Sequence, residues 1–483
     1  MKQLKFLWLS LLLLLSACKP VMQTSAEPVI NFAVAQAPLN LDPRYATDAA
    51  SERVNRLIYQ ALVDFDNSFQ VTPMLATWKV KSAKEYFFTL KQTRAAFHHG
   101  ASLNAQDVKA TYDSLRTLKN SPLTAEFSNI SYIKVQGNDE ITFYLKQADT
   151  HFVQKLIVGI LPKALIEQHH DFSHHPIGNG ALVFESWQNQ LLLKRQSDGQ
   201  KISISEVKDP TVRVLKLLRD EADLLQGDLP PELVAHLKTK PEVTVKTGWG
   251  ANFSYLGLNM QDPTLKNQKV RLAIAHAIDR QAMIKKVMVG NTRLASTILP
   301  PEHYTNVRSS LSLYDYNPVL AKKLLSEAGI KLPLKLIYKT STDPQRVRFA
   351  TIMQAQMAEA GINLEIRSLD WGTFFADVKA GNFQLYGLTW VGIKTPEIYS
   401  RAFGSANTPP NGFNRGRYTD AQLDALLDKE AWQAATTRIH HQLPYIPLWY
   451  EGQFVAMRNN ITGYSTKLDG NWDDLVSIKR QSL

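Results

Sequence analysis

Between Leu334 and Thr389 the chain alternates strand and helix with almost no slack, and this stretch limits the fold more than any other. Leu334 to Tyr338 reads as a strand, Pro344 to Ala360 as a helix capped by Asp343 and ended by Gly361, and Ile362 to Arg367 as a strand. Trp371 to Ala380 follows as a helix capped by Asp370 and ended by Gly381, and Phe383 to Thr389 as a third strand. An Asp cap accepts the free N–H groups of the first turn and a Gly takes the left-handed conformation after the last, so both ends of each helix are written in the sequence. A βαβαβ order implies a largely parallel sheet with short right-handed crossovers. Ligands of such sheets sit beyond the carboxyl ends of the strands, which makes Trp390-Val391-Gly392-Ile393-Lys394 the leading contact loop.

The elements around this stretch have equally local signatures. Tyr255 to Asn259 is a short apolar run closed by turn-formers, and Val270, Ala273, Ile274, Ala277 and Ile278 recur at the spacing of one buried helical face. Asp279 is placed to cap a helix from Arg280 to Val289. Asn317-Pro318 to Gly329 carries an Asn cap, a first-turn Pro and a terminal Gly, and Asp420 to Lys429 is helical. Earlier in the chain, Val29 to Ala35 and Val243 to Thr247 read as strands, and Ser51 to Leu62 and Pro230 to Thr239 as helices. Ile130 to Leu145 reads as an antiparallel hairpin turning at Gly137-Asn138-Asp139.

The N-terminus sets the compartment. Lys2 and Lys5 precede an apolar run, Phe6 to Ala17, that is too short to span a hydrocarbon core of about 30 Å, so residues 1–17 read as a signal peptide. Leu15-Ser16-Ala17-Cys18 resembles a lipobox, and Cys18 is the only cysteine of 483 residues. Lipidation at Cys18, with residues 18–28 as a polar tether, is the expected use of that thiol, since no intrachain disulfide can form. The formal charge of +11 is spread without any long basic run, and an exported chain does not meet the genome, so no nucleic-acid role is expected.

Chemistry-bearing motifs are scarce. There is no G-x-S-x-G, H-E-x-x-H or P-loop, and the expectation is a protein that is not an enzyme, with no cofactor and no resident metal. His169, His170, His174 and His175 with Asp171 could meet a metal at a flexible loop, but their spacing fixes no closed ligand set. Adjacent His98 and His99 diverge and lack a third ligand.

Six ordered motifs then point one way. LNLDP near residue 40, TPMLATWKV followed by AAFHHGASLNAQDV, PIGNG from Pro176, the E-A-D of Glu221 to Asp223, YLGLN with VRLAIAHAIDR, and PYIPLW from Pro444 resemble those of bacterial extracellular solute-binding proteins of the peptide/nickel class, family 5. Such proteins are the lipoprotein components of ABC importers. The resemblance implies an α/β, periplasmic-binding-protein-like clam-shell of mixed sheets, with two lobes and an extra small domain. Domain I would comprise 29–48, 157–252 and 446–483, domain II 49–156, and domain III 253–445. Phe253 to Asn259 and Pro444 to Trp449 would be the strands crossing between lobes. The segment Glu430 to Gln442 is shorter than the family's, which leaves the last helix of domain III open. The implied partners are a small peptide-like solute, a membrane permease with its ATPase, and a membrane surface reached through the lipid. The expected location is the periplasm or outer cell surface, as a monomer.

The resemblance also carries site residues. Gln36, Pro38 and Leu39 would line one wall, Tyr255 and Asn259 the hinge region, and Trp371, Trp390, Gly392, Ile393, Lys394 and Arg401 the other wall. Peptide binders of the family carry W-x-(A/G)-D, whose aspartate meets the peptide's α-ammonium. Here Ile393 stands at the aspartate position and Lys394 follows, and an ammonium beside an unpaired lysine is repelled. The expected ligand is therefore oligopeptide-like, with its terminus held differently or blocked, or anionic. A nickel chelate, a haem-like ligand, and a sensory or chaperone-like role stay open.

Overall fold

The computed structural model describes residues 28–481 apart from 47, 120, 289–290, 306–310 and 410–411. The leader, Cys18 and most of the tether lie outside the described residues.

Two large mixed sheets organise the chain, one in each lobe. The first has seven strands in the order Val243–Gly248, Gln453–Arg458, Leu224–Gln226, Ile30–Val34, Lys201–Glu206, Leu191–Arg195, Leu182–Trp187. Ile30–Val34 lies at its centre, parallel to the strands on either side. Its run of Ile, Phe, Ala and Val is buried on both faces, as a central strand requires. Phe32 meets Trp472 edge-on at 4.9 Å, which ties the C-terminal segment into the same core. The helix Ala49–Ile58, capped by Asp48, packs Val54, Leu57 and Ile58 into that core as well. It therefore belongs to the first lobe rather than to the small domain expected to begin at 49.

The second sheet has six strands in the order Arg293–Leu294, Tyr445–Tyr450, Phe253–Leu258, Leu385–Trp390, Leu334–Ser341, Ile362–Leu369. The expected βαβαβ segment is present, with helices Pro344–Glu359 and Trp371–Ala380 capped by Asp343 and Asp370. Only its three strands run parallel, and the third crosses beyond the first to reach the sheet's interior, so the sheet is mixed rather than largely parallel. Phe253–Leu258 is buried at every position and pairs antiparallel on both sides. Gln268–His276 and Arg280–Val287 follow, the latter capped by Asp279 as its sequence predicts. The short segment before Pro444 still forms a complete helix, Trp432–Gln442.

A third, four-stranded antiparallel sheet, Ala76–Ser82, Glu85–Leu90, Glu140–Leu145 and Ile130–Gln136, has its own apolar core with the helix Ala105–Thr117. Asn104 and Asp107 form a reciprocal capping box at that helix. The Pro176 turn joins this unit to the first lobe. A Cβ on Gly180 would meet the Leu57 carbonyl at 2.3 Å, so the backbone passes where only glycine fits.

The chain passes between the two large sheets at 249–252 and again at 451–452, since Tyr445–Tyr450 stays paired with Phe253–Leu258 to its end. That places the return five residues later than the expected boundary at 446. The two crossings touch backbone to backbone: Glu451 N–H donates to the Asn252 carbonyl at 2.9 Å, and a Cβ on Gly250 would lie 1.7 Å from the Glu451 carbonyl.

Candidate functional site

A cavity of about 720 Å³ lies where the two lobes and the small unit meet. This is within the roughly 300–1,000 Å³ typical of sites that enclose a small ligand. Its walls come from the helix Ala49–Ile58, the strand Val63–Phe65, the turn around Glu126, the segment Gln154 to Gly159, the loop Val391 to Arg401, and Asp469 with Asn471.

Four of the residues anticipated from sequence lie on this wall: Gly392, Ile393, Lys394 and Arg401. Gly392 takes φ +69°, a left-handed turn that sends the loop off the end of its strand. Ile393 contributes apolar surface. Lys394 is not an unpaired cation, because its Nζ lies 3.2 Å from Asp469 of the opposite lobe and 5.5 Å over the Phe65 ring. The repulsion expected of an ammonium beside it is thereby largely cancelled.

The other anticipated residues lie elsewhere. Trp390 turns into the second lobe, stacked at 6.4 Å with Tyr255 and covered by the Arg415 guanidinium at 4.6 Å. Tyr255 is itself buried, with its hydroxyl accepting from Arg415 at 3.3 Å. Asn259 uses its amide to hold the carbonyls of Gly381 and Phe383, a structural tie within the lobe. Trp371 is exposed on the first turn of its helix, stacked on Phe375, and is not part of the cavity lining. Gln36 and Leu39 are exposed and Pro38 is buried, and none of the three reaches the lining. In the histidine loop Asp171 faces His174 and His175 while the His170 ring meets the His175 carbonyl at 2.7 Å, and among the described residues no group of three or more acidic, histidine or cysteine side chains could hold a metal.

Sequence reasoning passed over the remaining charged residues of the wall. Arg56 bonds Asp64 at 2.9 Å through two nitrogens and also reaches Asp473, and these bonds outweigh the burial that opposes its charge. Burial pushes the Asp64 carboxyl up, but Arg56 and the Phe65 N–H hold it below the usual range. Lys155 is paired with Asp149 at 2.6 Å, and Glu397 accepts from Gln154 at 2.6 Å. Glu52, Arg53, Glu126 and Arg401 have no hydrogen bond or ion pair to their charged groups among the described residues. Burial in the cleft raises the carboxyls of Glu52 and Glu126. Nothing in sequence marks Glu52 and Arg53, which read as the solvated face of an amphipathic helix. The one available signal was the pairing of that polar face with a cleft that only tertiary structure creates.

Contacts at the mouth hold the lobes together. His151 of the small unit places Nδ1 3.2 Å from Glu397 and Nε2 3.1 Å from Glu430, both of the second lobe. His303 of the second lobe stacks on Phe69 at 5.6 Å. Its Nε2 donates to the Lys394 carbonyl at 3.1 Å while Nδ1 accepts from the Thr305 hydroxyl at 2.8 Å, and burial pushes the imidazole down to about 4.

A profile described as bacterial extracellular solute-binding proteins, family 5, middle region, matches residues 70–410. The chain belongs to this family of bacterial extracellular solute-binding proteins. This family 5 protein is 27% identical over 496 residues to the glutathione-binding protein GsiB of Salmonella choleraesuis, covering 95% of each chain. Its fold is similar to that of the substrate-binding protein CtaP of Listeria monocytogenes, with a TM-score of 0.84 at 21% identity over 94% of this chain and 99% of the other. It is also similar to the DppA protein of Helicobacter pylori in complex with the peptide STSA, with a TM-score of 0.75 at 23% identity, covering 94% and 98%. The family match bears out the solute-binding role expected from the motifs, and the structural likenesses bear out the two-lobed α/β architecture. The family is an extracellular one, and no helix among the described residues is long and apolar enough to cross a membrane.

Proposed function

We propose that this family 5 protein captures a short oligopeptide-like solute between its two lobes and presents it to the permease of an ABC importer. The observation that carries the reading is the interlobe cavity, whose wall offers unpartnered groups of both charge signs and an apolar patch at Val391 and Ile393. Peptides supply the matching ammonium, carboxylate and apolar side chains. The glutathione-binding relatives and the peptide-bound structural neighbour support the same class. Closure would shift the population towards the form the importer engages, by the solute's greater affinity for closed over open. The work is binding, without a chemical step. The contact set we propose centres on Gly392, Ile393, Lys394 and Arg401 rather than on Trp371 or the segment Gln36 to Leu39.

Isothermal titration with glutathione and with di- and tripeptides tests the reading, alongside mass spectrometry of any solute that copurifies. Saturable binding of peptides with stoichiometry near one is expected. A metal chelate or haem as the copurified ligand, with no heat from any peptide, would replace it. The same reading makes Cys18 the diacylated anchor, and mass spectrometry of the mature N-terminal peptide checks this: an unmodified Cys18 in a processed chain rules the anchor out.

A further inference from the structure

The charged residues of the cavity fall into two groups. Most are neutralised within the protein, as Arg56 is by Asp64 and Lys394 by Asp469. Four have no ion pair or side-chain hydrogen bond among the described residues: Glu52, Arg53, whose guanidinium lies 5.5 Å over the Trp472 ring, Glu126 and Arg401. A charged group drawn partly out of water without a partner costs free energy, so a wall that satisfies its other charges and leaves these four is shaped for an occupant.

Their positions divide them again. Glu52 and Arg53 are neighbours on one helix of the first lobe. A solute bound by them alone gains the same contacts whether the lobes are open or closed. Glu126 and Arg401 stand on opposite sides of the cleft. Glu126 projects from the turn Thr124–Phe127, whose Phe127 belongs to the core of the small unit. Arg401 projects from the helix Ile398–Phe403, rooted in the second lobe by Ile398, Tyr399, Ala402 and Phe403. They make no ion pair with each other, yet Arg401 is among the charges that act on the Glu126 carboxyl, lowering it against the burial that raises it. The two are therefore near enough to sense one another and too far apart to bond.

We infer that Glu126 and Arg401 form the clamp that reads the solute, Glu126 receiving its ammonium and Arg401 its carboxylate. The inference rests on the peptide reading and deepens it to a zwitterionic solute with both ends free. The guanidinium fork matches a carboxylate through two parallel N–H bonds, and a carboxylate accepting from an ammonium is the stronger, charge-assisted kind of hydrogen bond. Because Glu126 belongs to the small unit joined to the first lobe and Arg401 to the second lobe, a solute satisfies both only when the cleft is shut. That is the differential affinity a ligand needs in order to drive closure. The Trp390 loop then supplies apolar surface at Ile393, and the ammonium-binding role passes to the opposite wall.

The experiment is isothermal titration of the protein and two variants with trialanine, N-acetyl-trialanine, trialanine amide and glutathione. For the unmodified protein, acetylation and amidation should each weaken binding at least tenfold. Glu126→Gln should weaken trialanine and abolish the penalty for acetylation while keeping that for amidation, and Arg401→Gln should do the reverse. Glu126→Asp, which keeps the charge on a shorter arm, should restore part of the acetylation penalty, and unchanged thermal unfolding midpoints show that the variants are folded. Tight, equal binding of free and acetylated trialanine overturns the clamp and leaves the peptide reading standing, as does Glu126→Gln with the acetylation penalty intact. Absence of binding to all four probes by the unmodified protein overturns the peptide reading itself.

Discussion

The two lobes meet along two seams of opposite chemistry. At the crossover seam the chain itself passes between the sheets, and the contact is backbone against backbone at Gly250 and Glu451. Its polar group, the Glu451 carboxylate, accepts from the hydroxyls of Ser254 at 2.6 Å and Thr389 at 3.0 Å, and burial raises its carboxyl. At the mouth seam, by contrast, Lys394 meets Asp469 and His151 meets Glu397 and Glu430, side chain to side chain, with no strand ladder to align them. Ionic side-chain contacts of this kind are each worth little and break readily, whereas backbone crossings persist in any arrangement of the lobes. The difference separates what holds the molecule together from what lets it close.

That contrast can be tested from its strongest side first. Trp449 is fully buried in the strand beside the crossover and meets Phe349 edge-on at 5.1 Å. Trp449→Ala should cost about 3–5 kcal/mol of stability, whether or not solute is present. Urea unfolding measures this, and a loss below about 1 kcal/mol would show that the crossover seam is not the firm one.

The mouth seam should respond to acid. His303 titrates at about 4, below the ordinary imidazole value near 6.5, because burial disfavours its charge. Between those values the folded protein holds fewer protons than the unfolded chain, so stability from this residue is complete above about pH 6.5 and drains away as pH falls towards 4. The expected loss by pH 5 is about 1–2 kcal/mol, read from thermal unfolding against pH, and His303→Asn should flatten it.

Smaller effects sharpen the comparison further. Ile393→Asp, which replaces apolar cavity surface with a carboxylate away from the ammonium's place at Glu126, should lower affinity for trialanine about tenfold, and an unchanged dissociation constant would mean that the loop does not meet the solute. Lys394→Gln should loosen the mouth by about 0.5–1 kcal/mol and enlarge the solute-free particle in X-ray scattering. The exchanged pair Lys394→Asp with Asp469→Lys should bring the compact particle back; a particle that stays expanded would assign the effect to something other than the ion pair.

Local chemistry made most of the fold legible. Asp343, Asp370, Asp279 and Asn317 are helix caps where the sequence placed them, because a cap is a bond between residues two or three apart. The mixed order of the second sheet was hidden, since Phe253–Leu258 and Tyr445–Tyr450 are nearly two hundred residues apart and nothing in either names its partner. The candidate site was legible on one side only. The loop after Trp390 follows from a strand end, whereas Glu52, Arg53 and Glu126 become cavity residues only when a second lobe is laid over them. The loop also shows a limit of reading one residue alone: Lys394 reads as a free cation until Asp469, seventy-five positions later, neutralises it.

The charged mouth ties this protein to its surroundings in another way. Salt shortens the reach of exposed charges, with a Debye length near 10 Å at 0.1 M and near 3 Å at 1 M. An extracellular protein does not live at the buffered ionic strength of a cytoplasm, and the Lys394–Asp469 and His151–Glu430 contacts are only partly shielded by the cleft. Brackish or hypersaline conditions would weaken them while leaving the backbone crossover untouched, so the fraction of shut receptors, and with it the scavenging capacity of the cell, would track the salinity of its habitat.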